Sequence, residues 1–183
     1  MSRTTPLLLV AALAVLAAPR AASAETAFHL DMELGVSHFM EDAGLTGLSL
    51  GLTPGVALKS GLVLEADLGY HSGSEGPVTF AAYPMVMPGV SYEFEAGALR
   101  PFFDAHAGVA LLRSSVDFSI GGDLFGTSSL SSSTTALAFN VGGGLAYLIN
   151  DTVGLGGQLG LWWFNEGDGF TMIDAGLHAS FRF

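Results

Sequence analysis

Between Val153 and Trp163 the sequence alternates with a period of two. Val153, Leu155, Gly157, Leu159, Leu161 and Trp163 fall on one side; Gly154, Gly156, Gln158, Gly160 and Trp162 fall on the other. An extended strand points successive side chains to opposite faces, so this stretch has one aliphatic face and one mostly small face. Seven further segments repeat the pattern: residues 28–37, 48–58, 62–71, 80–94, 103–111, 139–147 and 173–183. Eight strands of about 10 to 14 residues can each cross a bilayer when tilted by about 40°. The even number brings both chain ends to the same side.

Alternation is compatible with an apolar interior in water or an apolar exterior in lipid. The second face decides between them. A water-facing coat needs Lys, Glu, Thr and Gln in quantity. Here that face is Gly, Ala and Ser with scattered Asp, Glu and His, and only 13% of the chain is charged. Small residues are what the inside of a narrow eight-stranded barrel holds, and the uncharged Leu, Val and Phe face suits hydrocarbon.

Aromatic residues on the outward face support the same orientation. Phe28, Tyr92, Phe94, Phe103, Tyr147, Phe181 and Phe183 fall at one end, and Tyr70, Phe80 and Trp163 at the other. Two interfacial girdles emerge, with Phe139 alone lying deeper. Pro54, Pro84 and Pro88 remove donors from strand ladders, and a bulge or strand end is expected near Pro84.

The connections are expected to alternate in length. Lys59-Ser60-Gly61, Glu95 to Arg100 and Asn150-Asp151-Thr152 read as short turns. Glu41 to Thr46, Ser72 to Pro77, Arg113 to Thr135 and Asn165 to Gly169 read as the longer, surface-facing loops. The stretch from Arg113 to Thr135 is the longest and carries a Ser/Thr run. Loops on a rigid scaffold are where surface function concentrates, and a solvated loop without a partner is the plainer alternative.

Residues 1–24 read as a cleaved secretory signal. Arg3 supplies the positive start, Leu7 to Ala18 the apolar stretch, and Ala22-Ser23-Ala24 the cleavage site. The apolar stretch is too short to anchor a helix across a membrane. The barrel domain is then residues 25–183. Its cations are Lys59, Arg100, Arg113 and Arg182, against 17 acids. Four cations draw no basic stripe, so nucleic acid is excluded as a partner. The absence of cysteine excludes disulfides and thiolate metal sites.

The segments Val90-Ser91-Tyr92-Glu93-Phe94, Arg100-Pro101-Phe102-Phe103-Asp104-Ala105-His106-Ala107-Gly108, Phe139-Asn140-Val141-Gly142-Gly143-Gly144-Leu145-Ala146-Tyr147 and Ala179-Ser180-Phe181-Arg182-Phe183 resemble the small outer-membrane β-barrel superfamily. Its members include the OmpA transmembrane domain and OmpX. The resemblance covers essentially the whole mature chain. It implies outer-membrane lipid and lipopolysaccharide as surroundings, and the barrel-assembly machinery as the reader of the terminal Phe183. It does not extend to the peptidoglycan-binding domain of full-length OmpA-like proteins.

Two inward clusters bear on chemistry. His29, Asp31 and Glu33 form a row on the first strand. Pairing Phe28 with Phe183 brings His29 near Arg182 and Glu33 near His178. That row reads as an ionic ladder at the closing seam, with a metal or catalytic site as the sharper alternative. Glu65, Asp67, Glu93 and Asp104 form a second cluster, with Glu93 expected near Asp104 and only His106 and His71 as possible cations. Such buried acids are protonated or hydrated, or they line a wet, cation-favouring lumen. His178 and Ser180 have a His-x-Ser spacing, yet no acid follows in sequence to orient the imidazole.

The sequence therefore predicts an all-β, eight-stranded antiparallel up-and-down transmembrane β-barrel of the outer membrane, with periplasmic termini. No catalytic residue, cofactor or metal ligand is assigned. The expected role is non-enzymatic, in envelope structure or surface interaction. A narrow porin-like channel for ions or small apolar solutes is the alternative, and a lipid A-modifying enzyme a more distant one.

Overall fold

A computed structural model describes residues 26–40, 44–58, 60–119, 127–167 and 169–183. The expected signal sequence, residues 1–24, lies outside the described residues. Eight strands follow in chain order: β1 (Thr26–Phe39), β2 (Thr46–Leu58), β3 (Leu62–Glu75), β4 (Val78–Glu93), β5 (Leu99–Ser119), β6 (Thr127–Leu148), β7 (Val153–Asn165) and β8 (Phe170–Arg182). Each pairs antiparallel with its neighbours, and β1 closes on β8 to give a barrel. Closure leaves the sheet no open side across its spanning part, the condition that hydrocarbon imposes on such a structure.

The seam has the register expected from the sequence. His29 stands opposite Arg182 and Glu33 opposite His178. Phe28 and Phe183 exchange backbone hydrogen bonds of 3.1 and 3.0 Å.

The outward face is aliphatic. Leu64, Leu159 and Leu177 are 50%, 64% and 71% exposed, which in water would strand the largest apolar side chains outside. Aromatic pairs mark both ends. Phe28 packs on Phe183 at 6.1 Å, and Tyr92, Phe94 and Phe103 form a chain of edge contacts at the short-turn end. Tyr70 meets Tyr83 at 5.1 Å and Phe139 meets Trp163 at 5.5 Å towards the opposite end. Phe139 is in register with Trp163, so it belongs to that girdle rather than lying deeper.

Three expectations are corrected. The stretch from Arg113 to Thr135 is strand over its described residues: β5 and β6 stay paired from Arg113↔Ser133 to Ser119↔Thr127, and residues 120–126 lie outside the described residues. Ser72 to Pro77 is mostly strand as well, turning only at Gly76-Pro77, so the expected contrast in connection length largely disappears. Phe80 and Ala82 do not face lipid. β4 carries one extra residue relative to both neighbours, with register shifts between Pro84 and Val86 and between Asp67 and His71. This is the bulge expected near Pro84. Met85 and Val86 both point outward, and the phase before them is inverted.

The inversion helps to build an inner core. Phe39, Leu45, Met87, Leu112, Trp162, Phe164, Phe170 and Met172 fill the lumen towards the loop end, with Phe80 and Val78 packed against them. Phe164 and Phe170 stack at 4.7 Å, and Phe80 meets Phe170 edge-on at 5.2 Å. The barrel interior is thus apolar at one end and polar towards the other.

Candidate functional site

The polar half of the lumen is built in rows that set large side chains beside glycines. One row runs His29, Gly55, Glu65, Gly89 and His106 across β1 to β5. A Cβ on Gly55 would lie 2.9 Å from the Glu65 Cβ, and one on Gly89 would overlap the His106 ring. Another row runs Asp104, Gly142, Gly160 and Asp174 across β5 to β8. Here a Cβ on Gly160 would collide with the Asp174 carboxylate. Eight strands enclose too little room for a side chain at every inward position, and glycine on the neighbouring strands lets the ionisable groups lie flat across it.

Those groups form a connected network. Arg182 pairs with Glu93, whose other carboxylate oxygen is 3.6 Å from His29 Nε2. Asp31 lies 2.9 Å from His29 and 3.4 Å from His178. The second ring nitrogen of His178 is 2.7 Å from the Gln158 carbonyl oxygen, and Gln158 Nε2 donates to Glu33 at 2.5 Å. Ser49 donates to Glu33 and Thr53 to Asp67. On the other side, Ser91 donates to Glu65 at 3.0 Å, and His106 stands 3.1 Å from Glu65 and 3.6 Å from Asp104. A cavity of about 50 Å³ lies among them, room for about three to five waters.

The seam row and the acid cluster are therefore one site, with contacts that cross the expected pairs. Glu93 is in register with Phe102, and Asp104 with Ser91; the expected Glu93–Asp104 contact gives way to Glu93 with Arg182. His71 does not serve the acids. It is buried on the Trp162 ring at 4.8 Å, with no hydrogen bond at either nitrogen.

Sequence spacing did not signal Gln158, Asn140 or Asp174 as members of the site, since each is a lone polar residue among apolar or small neighbours. Swapping the Asn140 amide lets it donate to Asp104 at 3.1 Å and accept from the Trp162 indole at 3.0 Å. The structure also supplies an acid for His178, namely Asp31 on the adjacent strand. Both imidazole nitrogens face other partners, Gln158 and Asp31, so neither is placed to take a proton from Ser180.

A closed eight-stranded barrel with a lipid-compatible exterior, aromatic girdles and a narrow polar lumen defines a small integral outer-membrane protein. The sequence matches the family described as outer membrane protein beta-barrel domain over residues 8–183, and the chain belongs to that family. A comparison with curated protein sequences finds no match.

Among solved structures, the chain is similar to Neisserial surface protein A, with 17% identity, a TM-score of 0.64, and coverage of 85% of this chain and 97% of that one. It is also similar to Ail, the attachment invasion locus protein of Yersinia pestis, with 17% identity, a TM-score of 0.56, and coverage of 87% and 100%. A major outer membrane protein from Thermus thermophilus aligns at 14% identity with a TM-score of 0.54, over 86% and 99%. These likenesses are of fold.

Proposed function

We propose that this chain is a closed, non-enzymatic outer-membrane barrel that acts in surface interaction through the hairpin of β5 and β6. One observation carries the reading: β6 outruns its partner β7. Pairing with β7 begins only at Leu137↔Asn165, while β6 remains paired with β5 back to Thr127. Residues 127–136 thus extend about 30 Å with one edge outside the β6–β7 ladder. Unpaired N–H and C=O groups on such an edge invite an added strand. Charge and proline, the usual guards against this, do not occur between Thr127 and Ala136.

In this reading residues 1–24 export the chain and are removed before Glu25. Both termini stand in the periplasm, and the hairpin faces outward beside lipopolysaccharide. The assembly machinery reads the strand ending in Phe183. Ail has been crystallised with the heparin analogue sucrose octasulfate. With 17 acids against six Lys and Arg, this chain suits an uncharged or cationic partner better than a polysulfate. The aromatic core across the lumen speaks against the channel alternative, and the two occupied ring nitrogens of His178 against lipid A chemistry.

Ser115 and Ser131 are in register, so replacing residues 115–131 by Asn-Gly gives a two-residue turn that gives up the β4–β5 pairs Val78↔Val116 and Thr79↔Ser115 and keeps those from Phe80↔Ser114 onward. Cells displaying the shortened protein are expected to lose adhesion to the surfaces that the full protein binds. Equal adhesion by both would overturn the assignment.

A further inference from the structure

We propose that His29, Asp31 and Glu65 form a binding site for one first-row divalent metal ion, with Zn²⁺ as the ion their donor set suits. Each offers one donor atom, and the three atoms lie within 4.8 Å of one another. An ion bound at about 2.0–2.2 Å needs its donors about 3–3.6 Å apart, so closing the site takes only small side-chain movements.

The cluster is more than a group of acids. His29 is 2% exposed, and neither of its ring nitrogens makes a hydrogen bond. Its Nε2 lies 2.9 Å from Asp31 Oδ1, yet that oxygen is also without a hydrogen bond. A buried neutral imidazole whose nitrogens make no hydrogen bond keeps a ring lone pair free for a cation beside the two carboxylates. His106 Nε2, 3.1 Å from Glu65, is likewise without a hydrogen bond.

Backbone placement makes the convergence possible. His29 and Glu65 belong to strands separated by β2, and the β2 residue in register with both is Gly55. A Cβ there would press on the Glu65 Cβ and the Leu64 carbonyl oxygen, each at 2.9 Å, so glycine leaves Glu65 free to lie across β2. Charge favours a cation as well: seven carboxylates face Arg100 and Arg182 around the cavity, and Arg182 is taken by Glu93.

One imidazole with two carboxylates is a borderline donor set that favours zinc-like ions over calcium or magnesium, which prefer oxygen alone. Water in the adjacent cavity would complete the coordination. The bound ion would tie β1 to β3 across β2.

Zinc titration of the chelator-stripped, full-length barrel in detergent, followed by calorimetry, tests the proposal. One ion per chain is expected, with H29Q and E65Q each weakening binding at least tenfold and H38Q, at the loop end, leaving it unchanged. No bound ion, undiminished binding in H29Q, or loss of binding in H38Q would overturn it. Zinc-edge X-ray absorption on the loaded wild type needs no variant to fold. An imidazole nitrogen among oxygen neighbours supports the site, and a shell of oxygen alone refutes it.

Discussion

Glu93 on β4 and Arg182 on β8 form an ion pair through the lumen, although their strands lie on opposite sides of the barrel. The pair therefore braces the wall from within. Glu93 is 10% and Arg182 29% exposed at the side chain, so removing one partner leaves a largely buried charge. Arg182→Met is expected to lower stability by about 1–3 kcal/mol, allowing for partial solvent access. Adding Glu93→Leu should restore part of the loss. Urea unfolding in lipid vesicles, run as a double-mutant cycle, checks this.

Glycine is a packing requirement at the inward positions of these rows and not at every position of the outward face. A Cβ at Gly89 overlaps the His106 ring and meets the Ala105 carbonyl at 2.5 Å, whereas one at outward Gly157 meets only a carbonyl oxygen at 3.5 Å. Gly89→Ala is expected to destabilise by about 1–3 kcal/mol or more. Gly157→Ala should fall within about 0.5 kcal/mol of wild type. Equal unfolding midpoints for the two variants would contradict the row description.

The closing seam was legible because its end residues constrain it. Once Phe28 is set against Phe183, strand geometry fixes His29 against Arg182 and Glu33 against His178. The contacts were less legible. Side chains in a narrow lumen reach across to non-adjacent strands, so Glu93 finds Arg182 and Glu33 finds Gln158. The bulge was foreseeable from Pro84, but its consequence was missed: one extra residue inverts the phase of everything before it, including Phe80. The β5–β6 extension was hidden by composition. Its Ser and Thr resemble a loop, yet serine and threonine pair well enough in a two-stranded ribbon. The inner core was overlooked because Phe39, Phe164 and Phe170 lie just outside the alternating segments.

The same core predicts electrical silence. Planar-bilayer recordings of the purified wild type are expected to show no steady steps. Replacing both Phe164 and Phe170 by Ala removes the stacked pair at the centre of the core and should produce detectable cation-selective openings, since acids dominate the lumen below. Steady conductance in the wild type would favour the channel alternative.

Phe183 contributes through its backbone as well as its ring. Deleting it removes two hydrogen bonds and the contact with Phe28, while Phe183→Ala removes the ring alone. With about 0.5–1.5 kcal/mol for each hydrogen bond, the deletion is expected to cost about 1–3 kcal/mol more than the substitution. Thermal unfolding of the two refolded variants measures the difference.

The most direct test concerns which face of the strands meets lipid. The chain has no cysteine, so single cysteines can carry a spin label at each position from Gly154 to Trp163 without background. On β7 the exposed and buried positions alternate, Leu155, Gly157, Leu159, Leu161 and Trp163 pointing out. Labels at those odd positions are predicted to show high collision rates with membrane-dissolved oxygen, and labels at the even positions low rates. A reversed pattern, or one without a period of two, would contradict the barrel's orientation and everything built on it.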